Sequence, residues 1–95
     1  MTNPQSGETD IEIDAQRYRL RLSLAALAEI EHRLGVEGLE VLAERLKKLG
    51  AQDLLIVLEA LLRAGGSDDA QVLAARADPA VAARAVAASF TLNLS

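Results

Sequence analysis

Two short segments near the start of the chain alternate apolar and polar residues, and a turn separates them. Ile11 and Ile13 alternate with charged residues in the first segment, while Tyr18, Leu20 and Leu22 do so in the second. A period of two residues is typical of strands that bury one face and expose the other. The pattern therefore predicts an antiparallel β-hairpin.

The charges of the two segments predict a register for this hairpin. A turn over residues 14–17 gives the cross-strand pairs Ile13 with Tyr18, Glu12 with Arg19, Ile11 with Leu20, and Asp10 with Arg21. This pairing puts apolar side chains on one face and opposite charges on the other, which stabilises a hairpin. We therefore expect its three arginines, Arg17, Arg19 and Arg21, to be neutralised within the hairpin rather than to bind phosphate.

Two amphipathic helices are predicted after the hairpin. Ser23 offers an N-cap hydroxyl, residues 24–34 carry an apolar stripe, and Gly35 supplies a C-terminal stop. Residues 39–49 then place leucines at spacings of three and four, and Gly50 follows. We expect the leucines of this second helix to pack on the core.

Three more helices complete the prediction. The segment 51–64 is apolar around most of its circumference, so it is expected to be the central helix. Two glycines end it, Ser67 begins a fourth helix through Ala77, and Asp78 with Pro79 begins a fifth. The predicted fold class is α+β, with an N-terminal two-stranded antiparallel hairpin followed by a small bundle of four to five helices.

The ends of the chain differ in composition from its middle. Residues 1–9 are polar and lack the basic start and apolar core of a signal peptide, so we expect a flexible lead-in. Residues 10–90 are expected to form a single domain, because 95 residues suffice for one modest core. Residues 91–95 are expected to form a separate tail.

The tail carries a second alternating pattern, formed by Phe90, Leu92 and Leu94. Two interpretations stay open at this point. The segment is a frayed or disordered terminus, or it is a strand that adds to the hairpin edge or to another protein. Because apolar side chains outside a core often mark binding sites, these three residues are the predicted partner-binding residues.

Composition excludes several classes of function. The net charge of −4 and the scattered basic residues argue against a general nucleic-acid binder. The chain has no cysteine, which excludes disulfides and thiolate chemistry. Its longest apolar run covers residues 54–58, far short of the roughly 20 residues that cross a membrane. We expect a cytoplasmic protein that contacts no membrane.

The candidate chemistry is sparse. His32 is the one histidine, and Glu29 precedes it at a spacing used by carboxylate-bridged metal sites. Such a site needs further ligands on facing helices, so a surface histidine is the preferred interpretation. The sequence contains no spacing typical of a catalytic triad and no glycine-rich phosphate loop. We therefore predict neither an enzyme nor a metal or cofactor site.

Several segments together resemble a known family. These are the hairpin, the helix Ala26–Gly35 with its sequence ALAEIEHRLG, the leucine-rich second helix, and Asp53–Gly66. They resemble the tail assembly chaperone family found in gene transfer agents and related long-tailed prophages. The resemblance implies a non-enzymatic protein that binds the tape measure protein and the tail tube subunit during assembly and is absent from the finished particle. It leaves self-association into a homo-oligomer open.

Two other functions are retained as alternatives. One is a structural tail component that stays in the particle, although tube subunits need extensive β-sheet and the pattern predicts one hairpin. The other is a small regulatory adaptor, which would need a DNA-reading helix with a basic face. The composition of the particle separates the first alternative from the chaperone.

Overall fold

The computed structural model of the protein describes the backbone of residues 8–94 and the side chains of residues 9–90. A two-stranded antiparallel hairpin precedes five helices, which is the predicted α+β arrangement. The elements are β1 (Glu8–Ile13), β2 (Gln16–Arg21), α1 (Leu24–Leu34), α2 (Leu39–Leu46), α3 (Ala51–Ala64), α4 (Ala70–Arg76) and α5 (Pro79–Leu94). β1 begins two residues before the predicted start of the hairpin, and residues 1–7 lie outside the described part.

The predicted hairpin register is wrong by two residues. Ile13 pairs with Gln16, and Ile11 pairs with Tyr18, because the turn contains only Asp14 and Ala15. Both turn residues have positive φ, 53° and 66°, as a type I′ turn requires. The twist of such a turn matches the twist of the strands, and this favours the tighter connection over the predicted four-residue turn.

The prediction of which side chains share a face of the hairpin is nevertheless correct, because a register change of two residues leaves every side chain on its original face. Ile11, Ile13 and Leu20 are buried. On the opposite face the register pairs Asp10 with Arg19, and the Arg17 guanidinium lies 4.0 Å from the Asp10 carboxylate. The arginine row thus faces acidic residues, as predicted, although each pairs with a different partner.

Ala15 occupies an unfavourable backbone conformation, which gives a first prediction. A left-handed conformation costs a non-glycine residue about 1–2 kcal/mol, and Ala15 has φ 66°. Ala15→Gly is expected to raise the free energy of unfolding by about 0.5–1 kcal/mol, after the greater flexibility of glycine in the unfolded chain is subtracted. Urea denaturation measures this change. Ala25→Gly on the exposed side of α1 is the control and should destabilise, so a loss of stability in both variants would contradict the assignment of the turn.

The boundaries of α1 and α3 agree with the prediction, and their ends show why. The Ser23 hydroxyl accepts a hydrogen bond from the Ala26 N–H at 3.1 Å, which caps α1. α3 closes with two backbone bonds, from the Gly66 N–H to the Arg63 carbonyl and from the Ser67 N–H to the Leu62 carbonyl. This is the Schellman arrangement, and it uses glycine at a φ of 106°.

α2 and α4 are shorter than predicted. α2 ends at Leu46 rather than at residue 49, since the N–H groups of Lys47 and Lys48 bond to carbonyls three residues earlier and tighten the last turn. α4 begins at Ala70, because the backbone of Ser67 belongs to the closing turn of α3 and cannot also cap the next helix. In contrast, the Asp78 carboxylate caps α5 as predicted, accepting hydrogen bonds from two N–H groups at 3.1 Å.

The strand interpretation of the C-terminal tail is wrong, because the backbone of α5 continues to Leu94. Each residue added to an existing helix gains a hydrogen bond to the carbonyl four residues earlier, whereas a strand here would need a neighbouring strand. The side chains of residues 91–95 lie outside the described part.

α3 is the central helix, as predicted. It contacts α1, β2, α4 and α5, and its residues from Val57 to Leu62, apart from Glu59, are buried. The largest buried apolar residues of the core are Ile11, Ile13, Leu20, Leu22, Ile30, Leu34, Leu42, Val57, Leu58, Leu61, Leu62, Val86 and Phe90. The hairpin covers one side of this core and the helices enclose the rest.

Candidate functional site

An apolar hollow lies where α3, α4 and α5 meet. Its volume is about 410 Å³, and Leu54, Leu55 and Leu58 of α3 contribute its largest side chains. The facing walls consist of small residues, among them Ala74 of α4 and Ala82 of α5. Ala74 and Ala82 are buried and form the floor of the hollow, whereas Ala75 is exposed, so another chain can approach α4 there.

A second hollow of about 390 Å³ continues along α5. Leu49 and Leu54 line both hollows, so the two adjoin. We call the pair the apolar groove. It follows α5 from Pro79 to Phe90, which is roughly 16 Å of helix at 1.5 Å per residue. This length accommodates about three turns of a partner helix.

The described lining of the apolar groove carries little charge. Lys47 is the one charged residue among those that line its two hollows. Lys48 follows it in the chain, and Arg84 lies next to the lining residue Ala83; both are exposed and form no ion pair with the described side chains. Glu44 pairs with Lys47 at 3.0 Å. Near Lys47, a region that we call the basic end, three basic residues are accompanied by Glu44, whereas the whole chain has a net charge of −4.

Leu55 connects the apolar groove to solvent. Its side chain is 42% exposed although it lies on the most buried helix of the protein. A third, more polar hollow adjoins the groove at Leu55, Ala74 and Ala75, and Arg33 and Glu59 line it. An exposed leucine between an apolar groove and a polar rim is the arrangement found in protein-binding surfaces.

Ion pairs fix the positions of the helices that carry the groove. Arg45 of α2 donates two hydrogen bonds to the Asp53 carboxylate of α3, at 2.8 and 3.3 Å, and a third to the Leu34 carbonyl at 3.3 Å. The hydrogen bond and the charge of Asp53 raise the pKa of Arg45 above its ordinary value. Arg45 therefore holds the start of α3 against α2 and the end of α1.

A second ion-pair network joins α1 to α3. Arg63 bonds to Glu29 at 2.6 Å and also to Glu59, while Arg33 lies 3.3 Å from both carboxylates. The hydrogen bonds that Arg63 donates to Glu29 and to Glu59 raise the pKa of Arg63 above its ordinary value. Since these carboxylates are already paired with arginines, we interpret the network as structural.

The residues that the sequence suggested for function do not come together in one site. Phe90 is 5% exposed and lies in the core, where it also lines the apolar groove. The side chains of Leu92 and Leu94 lie outside the described part, so their partner binding stays a prediction. His32 is exposed near the end of α1. The groove residues Leu54 and Leu55 were missed as binding residues, because their spacing was that of a core helix.

The described residues form neither a cluster of metal ligands nor a membrane-spanning helix. Side chains 9–90 contain no group of three or more histidine or carboxylate residues arranged to hold a metal ion. Of the helices in the described part, none is long and apolar enough to span a membrane. The apolar groove, with the exposed Leu55 at its edge, is the candidate functional site.

Comparison with known proteins places the chain in a family. No curated protein and no solved structure matches it significantly. A family model described as "Phage tail tube protein, GTA-gp10" matches residues 6–94, which is nearly the whole chain. The matched range includes the hairpin and the five helices α1 to α5. The protein therefore belongs to this family of phage tail proteins, which is associated with gene transfer agents.

Proposed function

We propose that this phage tail protein is a non-enzymatic assembly chaperone that holds a helix of the tape measure protein in the apolar groove. The observation that carries the proposal is the groove itself, with the half-exposed Leu55 at its edge. The protein would act in the cytoplasm while the tail is built. Membership of a phage tail family supports a role in the tail.

The dimensions and charge of the groove favour an amphipathic helix as the bound segment. Helices bind grooves by placing one apolar stripe against the floor, with anchor residues three or four positions apart. The short side chains of the exposed Ala75, Ala83 and Ala87 allow this close approach. The basic end formed by Lys47, Lys48 and Arg84 would attract carboxylates of the client, and so would fix the direction in which the client helix lies.

Leu55→Glu is the variant that tests the groove. Leu55 is 42% exposed, so a glutamate there reaches water and leaves the core intact, but it places a charge beside the apolar floor. We expect binding of the purified tape measure protein, measured by biolayer interferometry, to weaken by at least about tenfold. Circular dichroism should show an unchanged helical signal.

Leu39→Glu is the matched control. Leu39, the first residue of α2, is 49% exposed, so its predicted packing on the core is wrong, and it lines neither hollow of the groove. Binding of the tape measure protein should be unaffected in this variant. Equal loss in both variants, or no loss in either one, would show that the client does not occupy the groove.

A structural role in the tail tube is the second candidate. The description of the matching family as a tail tube protein favours it. Against it, the described residues form a single two-stranded sheet, whereas a tube built from rings requires subunits that share extensive β-sheet. The chaperone proposal accounts for the helical fold and the groove together, and for that reason we prefer it.

A further inference from the structure

The hairpin offers a second surface, which is independent of the groove. A two-residue turn makes Ile13 and Gln16 a hydrogen-bonded pair, after which bonded and non-bonded pairs alternate along the strands. Asp10 and Glu12 of β1 therefore belong to non-bonded pairs. Their backbone N–H and C=O groups point away from β2, toward the outer edge of the hairpin.

Among the described residues, the outer edge of β1 has no backbone hydrogen-bond partner; α5 contacts β1 but bonds to none of its backbone groups. The sheet has two strands, and no backbone hydrogen bond outside the hairpin involves Asp10 or Glu12. The side chains of both residues are exposed. An edge of this kind can accept an extended segment as a third strand, which is the binding mode called β-augmentation.

The outer edge of β2 is covered instead. Gly65, at the end of α3, lies so close to the Arg19 carbonyl that an added Cβ atom would come within 2.1 Å of the oxygen. Arg19 forms a non-bonded pair with Asp10, so this carbonyl points away from β1. An additional strand cannot reach β2 at this position without displacing α3.

Charge determines which segment suits the open edge. A third strand would place its solvent-facing side chains about 5 Å from Asp10 and Glu12. Asp10 already faces Arg17 at 4.0 Å, but that pair is exposed and long, so an arginine or lysine of the added strand can share the carboxylate, whereas a carboxylate there would be repelled. Two copies of β1 would bring carboxylates together, and β2 of a second copy is covered by its own Gly65. Both routes to pairing of the chain with itself are thus disfavoured.

We infer that the edge of β1 binds an extended segment of another protein in which basic residues alternate with apolar ones. The backbone of Asp10 and Glu12 supplies the hydrogen bonds, and their carboxylates select the basic side chains. The apolar residues of the segment would extend the buried face formed by Ile11 and Ile13. The edge of β1 and the apolar groove lie on different elements. An experiment can therefore contradict the proposal for one of them and leave the other unaffected.

A synthetic peptide with the sequence QRYRLRL, taken from residues 16–22, is a suitable probe because it has the required alternation. In the full-length protein we expect the peptide to slow hydrogen exchange at the amides of Asp10 and Glu12, measured by NMR. A control peptide with glutamate in place of each arginine should bind at least about tenfold more weakly. Binding should also weaken as the salt concentration rises.

Matched protein variants test the role of the carboxylates. Asp10→Asn combined with Glu12→Gln removes both charges, and we expect it to weaken peptide binding by roughly three- to tenfold. Glu37→Gln combined with Glu40→Gln removes two exposed charges away from the hairpin and should change nothing. Failure of the peptide to bind, binding without protection of the β1 amides, or equal binding of the glutamate peptide would overturn the inference. Protection of the Asp10 and Glu12 amides by dimerisation of the protein, without peptide, would also overturn the inference.

Discussion

Leu58→Ala is expected to lower the free energy of unfolding by about 2–5 kcal/mol, the range for removing most of a buried aliphatic side chain. Leu58 is 1% exposed and lies on α3, which contacts the hairpin and three other helices. The loss combines reduced apolar burial with the cavity that the rigid surroundings leave. Domains of this size are stable by only about 5–15 kcal/mol, so the urea midpoint should fall markedly.

Leu55→Ala is the control for this experiment. Leu55 lies one turn earlier on the same helix but is 42% exposed, so its truncation should cost considerably less. A midpoint for Leu58→Ala that moves no more than that of Leu55→Ala would place Leu58 at the surface. The assignment of α3 as the central helix would then be wrong.

Gly65→Ala is expected to destabilise the protein by about 3 kcal/mol, at the upper end of the range for overpacking. The new methyl group would lie 2.1 Å from the Arg19 carbonyl oxygen and 2.7 Å from its carbon. Both atoms belong to the backbone of β2, so no side-chain rotation relieves the contact. Either α3 or the hairpin must move, and both pack on the shared core.

Gly50→Ala provides the comparison for this substitution. Gly50 precedes α3 with a φ of −81°, and a Cβ there would meet nothing within 4 Å. Its replacement should change the free energy of unfolding by less than about 1 kcal/mol. Similar midpoints for the two variants would contradict the close approach of α3 to β2.

The elements of the fold were largely predictable because their signals are local. Ser23, Gly35 and Asp78 act through hydrogen bonds to backbone groups a few residues away, and each has the role that the sequence predicts. The hairpin register was not predictable in this way. Alanine at position 15 is unusual in a turn with positive φ, so the sequence lacks the Asn-Gly or Asp-Gly signal of a two-residue turn.

The candidate site was harder to predict than the fold. The groove is formed by residues that are distant in sequence, such as Leu54, Ala74 and Ala82, and their spacing within each helix is that of ordinary core residues. Only the packing of α3, α4 and α5 shows that Leu55 stays partly exposed. The sequence directed attention instead to Phe90, whose side chain the fold buries.

The composition of finished particles is the most direct test of the central claim, that this tail protein acts as a chaperone during assembly. Quantitative mass spectrometry would compare its amount in purified tailed particles with its amount in the cells that make them. The account predicts abundant protein in the cells, bound to the tape measure protein, and almost none in the particles. A fixed number of copies per particle, comparable to that of the tube subunit, would contradict the chaperone role and establish a structural one.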